Sequence, residues 1–198
     1  FPVIAAENGV TGSAQPDFRA GLGAQITKGP WNFSFAFETS QGNEMWAGTY
    51  GVLHYFGIHP NTAVESVAPV DLPKYAGGFG GVVPAGETFR GNIGDFGGGL
   101  VALEEGWYRT DGGGFGSQDE LFIFDASFIK LREVSLSYDI PSSFLEPIGA
   151  KGGSLGITGR NFLLQTDFPD IDPEISLVGA GKARGVEYFT NPNTESFL

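Results

Sequence analysis

The residues best suited to chemistry in this sequence are four carboxylates in one polar stretch, Asp167, Asp170, Asp172 and Glu174. Hard oxygen ligands spaced along a loop are what calcium takes, so these four form the candidate metal set. The Gly-centred twelve-residue spacing of the common calcium loop is absent, which leaves a solvated acidic loop as the plainer reading. Gly112-Gly113-Gly114-Phe115-Gly116-Ser117 approaches a calcium-binding glycine repeat, but it ends on Ser117 instead of an acidic residue and has no tandem copy. It reads as a flexible turn. No other cofactor is implied.

Six aromatic residues, Trp46, Tyr50, Tyr55, Phe56, Trp107 and Tyr108, lie in or beside a long Gly-rich region and could stack on a ligand such as a sugar ring, with Trp46, Tyr50, Trp107 and Tyr108 the leading ligand-contact candidates. Packing into a small core of that region's own is the competing reading. Catalytic patterns fare worse. Gly152-Gly153-Ser154-Leu155-Gly156 matches the nucleophile pattern G-x-S-x-G, yet both histidines of the chain, His54 and His59, precede the serine. That serine also opens a strand, where the motif needs a strand-to-helix elbow. The histidines fit neither a zinc box nor H-E-x-x-H and read as surface-loop residues. Asn32-Phe33-Ser34 satisfies the N-glycosylation pattern, but in mid-strand. The inventory supports no enzyme.

The net charge of −12, from 11 basic and 23 acidic residues, repels phosphate backbones and anionic headgroups, so nucleic acid is not expected as a partner. Without cysteine there is neither a disulfide framework nor a thiolate metal site. At 198 residues and 41% hydrophobic, the expectation is one domain with a sizeable core. The 32 Gly and 18 Phe, against a single Met, favour turns, bulges and aromatic strands over helices. No apolar run approaches the roughly 20 residues that a membrane-spanning helix needs. The start at Phe1, with no initiator Met or signal segment, is expected to be a processed or truncated N-terminus.

The elements that would carry these residues are strands. Over 18–27, Phe18, Ala20, Leu22, Ala24 and Ile26 alternate with polar or small residues; over 31–39, Trp31, Phe33, Phe35 and Phe37 do the same. With Lys28-Gly29-Pro30 between them, the pair predicts a β-hairpin with an aromatic outer face. Over 128–140 the phase slips, because Ile129 and Leu131 are apolar at odd positions and Val134, Leu136, Tyr138 and Ile140 at even ones. A β-bulge near Arg132 and Glu133 reconciles them. Pro141 ends that strand, Ser142 and Ser143 are placed to cap one helical turn, and a strand over 154–164 follows Gly149–Gly153. A last strand is expected near 194–198. The rest is read as long loops, 40–126 and 166–193; the first needs a large platform or structure of its own that periodicity does not reveal.

The fold class that follows is all-β, an antiparallel meander of about four to five strands within a single β region over 1–198. Short connections at 28–30 and 141–153 alternate with long ones at 40–126 and 166–193, the parity of outer-membrane barrels with short periplasmic turns. Strand cores of about nine to eleven residues suffice to cross a hydrocarbon core at a tilt. The apolar face would meet lipid and the Ser, Thr, Gln and Arg face a watery lumen.

Three strings carry a resemblance: QPDFRAGLGAQITKGPWNFSFAF (15–37), FDASFIKLREVSLSYDIPSSFLEPIG (124–149) and LGITGRNFLLQTDFPDIDPE (155–174). Together they resemble the C-terminal barrel region of SusC/RagA-type TonB-dependent outer-membrane transporters. The resemblance implies the last strands of a plugged barrel of about 22 strands, import of glycans or peptides, a cell outer membrane or surface location, and a SusD-type lipoprotein partner over the extracellular mouth. The family's plug and TonB-contacting segment have no counterpart in these strings.

Four or five strands cannot close a lumen, and open edges in lipid would leave unpaired backbone groups. The edges are therefore expected to pair with the remainder of a barrel. Two other readings stand beside the importer: a structural fragment that self-assembles with copies of itself into a fibre or sheet by edge pairing, and a soluble glycan-binding β domain.

Overall fold

The computed structural model describes residues 1–198 apart from 4, 115–118, 179–180, 182–183, 191–195 and 198. The chain divides into two compact units, where the sequence pointed to one β region. A wall unit comprises Ser13–Glu44, Asp125–Ile175 and Asn191–Leu198; a loop unit comprises Phe1–Gly12, Met45–Phe124 and Ser176–Thr190.

In chain order, β1 (Phe18–Lys28), β2 (Trp31–Gln41) and β3 (Glu44–Ala47) precede helix α1 (Gly48–Tyr55). Short strands follow: β4 (Glu65–Val67), β5 (Leu72–Pro73), β6 (Val82–Val83), β7 (Thr88–Arg90), β8 (Asn92–Asp95) and β9 (Leu100–Leu103). Helix α2 (Glu105–Tyr108) leads to β10 (Ile123–Asp125) and the long β11 (Phe128–Asp139). A short helix α3 (Ser142–Leu145), then β12 (Ser154–Thr166), β13 (Val186–Glu187) and β14 (Ser196–Phe197) complete the order.

The wall unit is one antiparallel sheet in the order β1-β2-β11-β12-β14. Strands β1 and β2 pair continuously from Phe18↔Gln41 to Lys28↔Trp31, which leaves Gly29-Pro30 as a two-residue turn. Gly29 takes φ 58°, a left-handed conformation that costs glycine little. Register carries the apolar residues across the sheet in rows: Ile26, Phe33, Leu136 and Ile157 form one, and Leu22, Phe37, Leu131 and Leu163 another. The opposite face aligns Ser34, Ser135 and Thr158, then Ala36, Glu133 and Arg160.

The phase slip has the cause that the sequence indicated. Pairing shifts between Leu131 and Glu133 against both neighbours, so Arg132 is an extra residue and Ile129, Leu131, Val134 and Leu136 share one face. In β12 the partners step from Arg160 to Leu163, and Asn161 between them takes φ 51°. Asn tolerates that region better than most residues.

On the apolar face Leu22, Ile26, Leu155 and Ile157 are 57–73% exposed, a greasy surface covered by nothing in the unit. Trp31 and Tyr138 pair at its turn end with ring centroids 4.7 Å apart, edge to face. Among the described residues, β1 pairs with β2 alone, and β14 pairs with β12 through Phe197↔Gly159 and Ser196↔Arg160. Residues 194, 195 and 198 of the expected last strand lie outside the described residues.

Two local expectations differ. Ser142 and Ser143 lie within α3, and Pro141 holds the N-cap position with no side-chain cap bond. Residues 40–126 and 166–193, read as loops, contain β3 to β10, two helices and β13. Strands of two to four residues are too short to show a period of two, and their sharp turns use the abundant glycine.

The loop unit is assembled from small antiparallel pairs, β4 with β7, β5 with β6 and β8 with β9. Its core comprises Ala68, Leu72, Val83 and Ala102, with Phe89 and Ile93 packed against them. Strand β13 runs parallel to β3, and the wholly buried Glu187 on it accepts bonds from the Thr49 amide (3.1 Å) and hydroxyl (2.6 Å). That carboxylate holds the first turn of α1, where backbone N–H groups lack helical partners.

Candidate functional site

The polar face of the wall carries the densest charge cluster. Lys130, on β11, is 1% exposed and donates to Asp172 (2.5 Å) and Glu174 (3.0 Å). Arg132, projected by the bulge, donates through Nε to Glu38 on β2 (2.8 Å) and forms a two-pronged pair with Glu174. The segment after β12 thus folds back over the polar face and is fastened there by two cations. Burial pushes the Glu174 carboxyl up, but Arg132 and Lys130 outweigh it and hold Glu174 below the ordinary carboxylate range. Further along this face, Arg160 donates to Glu133 (3.1 Å), Ser135 bonds Thr158 (2.9 Å) and Asn32 donates to Asp139 (3.3 Å). These pairs line a surface suited to water.

The loop unit contains a cavity of about 650 Å³, within the range of small-ligand sites. Tyr55, Phe56 and Tyr108 supply aromatic surface to it, and Lys74, Arg90 and Arg109 supply charge. Burial raises the Tyr108 hydroxyl pKa, which the hydrogen bond from Asn92 (2.9 Å) only partly offsets. Tyr108 is therefore a neutral phenol at physiological pH. Of the carboxylates lining the cavity, Glu104 accepts from the Gly106 amide (3.1 Å) at the start of α2, and Glu105 pairs with Arg109 (3.2 Å).

The structure places the sequence candidates as follows. Asp172 and Glu174 come together, but on Lys130 and Arg132; among the described residues no group of three or more acidic or histidine side chains is arranged to hold a metal ion. Asp167 and Asp170 do not join them in such a set. Trp107 is 3% exposed and packs on Phe1, Tyr75 and Phe96, so it is core and not a stacking platform. Trp46 stacks on Tyr188 at 5.9 Å, and Tyr50 packs on His54, His59 and Phe124. Of the stacking candidates, Tyr55, Phe56 and the largely buried Tyr108 line the cavity.

The histidines correct the surface reading: His54 and His59 are 5% and 7% exposed and stack on each other at 4.1 Å. The glycine run is corrected too. A side chain on Gly112 would overlap Trp107, one on Gly113 would meet Tyr55, and one on Gly114 would meet the Gly51 backbone, so these residues form a closely packed turn. Residues 115–117 of that motif lie outside the described residues. Ser154 opens β12 and is exposed.

Lys130 was not singled out by sequence reasoning. The available signal was a basic residue on a strand beside a bulge, with an acidic run beyond the next strand. The cavity lining was equally hidden, because its members come from separate turns.

No family model matches the chain. Two curated proteins of Formosa agariphila do. TonB-dependent receptor P3 is 32% identical over 81 residues, 38% of this chain and 8% of that protein. TonB-dependent receptor P26 is 29% identical over 170 residues, 86% of this chain and 14% of that protein. Among solved structures, the RagAB peptide transporter matches with a TM-score of 0.53 at 16% identity, over 95% of this chain and 17% of that one. The RagAB peptide importer in the closed-closed state matches with a TM-score of 0.56 at 16% identity and the same coverage. The chain thus has the fold of part of these barrel proteins and spans under a fifth of the length of each relative. It is similar in sequence to part of two TonB-dependent receptors and in fold to part of the RagAB transporter.

Proposed function

We propose that these residues form wall strands and extracellular loop structure of a TonB-dependent outer-membrane importer of the SusC/RagA type. The observation that carries this reading is the sheet itself, which is apolar and exposed on one face and laced with ion pairs and hydroxyls on the other. A soluble domain would bury the Phe-rich face; a barrel wall turns it to lipid and its polar face to the lumen. The Trp31–Tyr138 pair at the turn end takes the place of an interfacial aromatic girdle. The open sides of β1 and β14 would pair with neighbouring barrel strands, since unpaired backbone in lipid costs several kcal/mol per group.

The role is transport and not catalysis, with a SusD-type lipoprotein over the extracellular mouth and a peptide or glycan as cargo. The relatives' names, receptor and transporter, support that role. The strap over 167–175, fastened by Lys130 and Arg132, would narrow the lumen at its outer end.

The absence of cysteine makes a direct topology test simple. Gly98 and Gly152 each have open space where a side chain would go. In intact cells expressing the protein, Gly98→Cys in the loop unit should react with a membrane-impermeant maleimide, and Gly152→Cys at the short turn should react only after the outer membrane is permeabilised. Equal labelling of both in intact cells would defeat the barrel topology.

A further inference from the structure

The charges of the 45–124 stretch of the loop unit are segregated. Between residues 45 and 124 the chain holds nine carboxylates (65, 71, 87, 95, 104, 105, 111, 119 and 120) and three basic residues, Lys74, Arg90 and Arg109. All three basic residues line the one cavity of about 650 Å³. They reach it from separate places: Lys74 follows β5, Arg90 ends β7 and Arg109 follows α2. Convergence from three segments in so acidic a stretch is an arrangement of the fold and not a local run of basic sequence.

The local carboxylates do not neutralise the cavity. Glu105 is matched by Arg109, and Glu104, which accepts from the Gly106 amide at the start of α2, offsets only one of the two remaining cations, so the lining keeps a net positive charge. Arg90 donates Nε to the Thr62 carbonyl (2.9 Å), which fixes its stem and leaves the rest of the guanidinium fork available. Among the described residues, Lys74 and Arg90 take part in no ion pair. Beside them stand the aromatic faces of Tyr55 and Phe56, the latter 62% exposed.

We infer that this cavity binds a carboxylate-bearing ligand, whose anionic group Lys74 and Arg90 hold and whose body lies on Tyr55 and Phe56. Two uncommitted cations in a recess attract an anion more strongly than the same charges on open surface, because low-dielectric walls focus their field. An acidic oligosaccharide and an acidic peptide both offer this chemistry. The inference rests on the importer reading only for its biological setting, since binding is read without transport.

The test uses the full-length protein purified in detergent and isothermal titration with four probes: a trigalacturonate, its methyl-esterified neutral form, a Glu-containing tetrapeptide with free C-terminus, and its Gln counterpart with an amidated C-terminus. At least one acidic probe should bind roughly tenfold or more tightly than its neutral partner, with affinity falling as salt rises. Lys74→Glu should abolish that preference; Lys74→Arg and Arg90→Lys should largely keep it. Trigalacturonate binding alone would identify a sugar acid, and peptide binding alone a peptide carboxylate. Equal binding of acidic and neutral probes, no binding of either acid, or an affinity indifferent to Lys74→Glu would each overturn the inference. The maleimide topology result would stand in any of these cases, so failure here is distinct from failure of the importer reading.

Discussion

The wall and loop units solve opposite problems with one composition. In the wall, long strands sort residues by alternation, so each face has one character and the apolar face stays uncovered. In the loop unit, strands of two to four residues close around a small core, with aromatic clusters and bare glycine contacts filling the remainder. Hydrophobic residues here have two destinations, an exposed face in the wall and an inside core in the loop unit. Exposure tells them apart: Ile157 is 60% exposed and Leu72 is 0%.

The sharpest way to break that contrast is to remove the loop core. Leu72→Ala should destabilise the loop unit by about 2–5 kcal/mol through lost burial and a residual cavity. Hydrogen exchange should accelerate over residues 65–103 while β2 and β11 keep their protection; loss of protection in both units together would show that they are not separate. Next in size is a charge on the exposed apolar row of the wall. Leu136→Arg should cost about 2–4 kcal/mol in lipid-reconstituted unfolding experiments if it lies near mid-bilayer. Ser135→Arg, one residue along on the polar face, should cost much less. Similar costs for the two would remove the distinction between faces.

The smallest expected effect is a pH dependence of the strap. Glu174 has its carboxyl lowered in the folded protein, so its contribution is fully present above the ordinary carboxylate pKa and is lost as pH falls through the lowered one. Protease protection of 167–175 should therefore persist from neutral pH down through the usual carboxylate range and fail only below it. Glu174→Gln should flatten this acid response while leaving protection of β1 and β2 unchanged.

Legibility followed the same divide. The β1–β2 hairpin and the bulge at Arg132 could be read because each is written in neighbouring residues and in a period of two. The internal order of 40–126 could not, since a two-residue strand such as Leu72–Pro73 carries no period and its partner Val82–Val83 is identified only by closure of the loop. The buried histidines were misplaced for a related reason: nothing local distinguishes a surface histidine from one stacked against Tyr50 and a second histidine. Lys130 lies 42 and 44 residues from the carboxylates that bury its charge, so neither partner announces the other.

By itself the sequence determined the long wall strands, their two faces and the Gly29-Pro30 turn, because side-chain alternation along an extended backbone is a local geometric fact. Only the tertiary structure decided that Asp172 and Glu174 answer to Lys130 and Arg132, and that Lys74, Arg90 and Arg109 meet around one cavity. Those groupings depend on how distant segments fold back, and charges attract across space irrespective of their order in the chain.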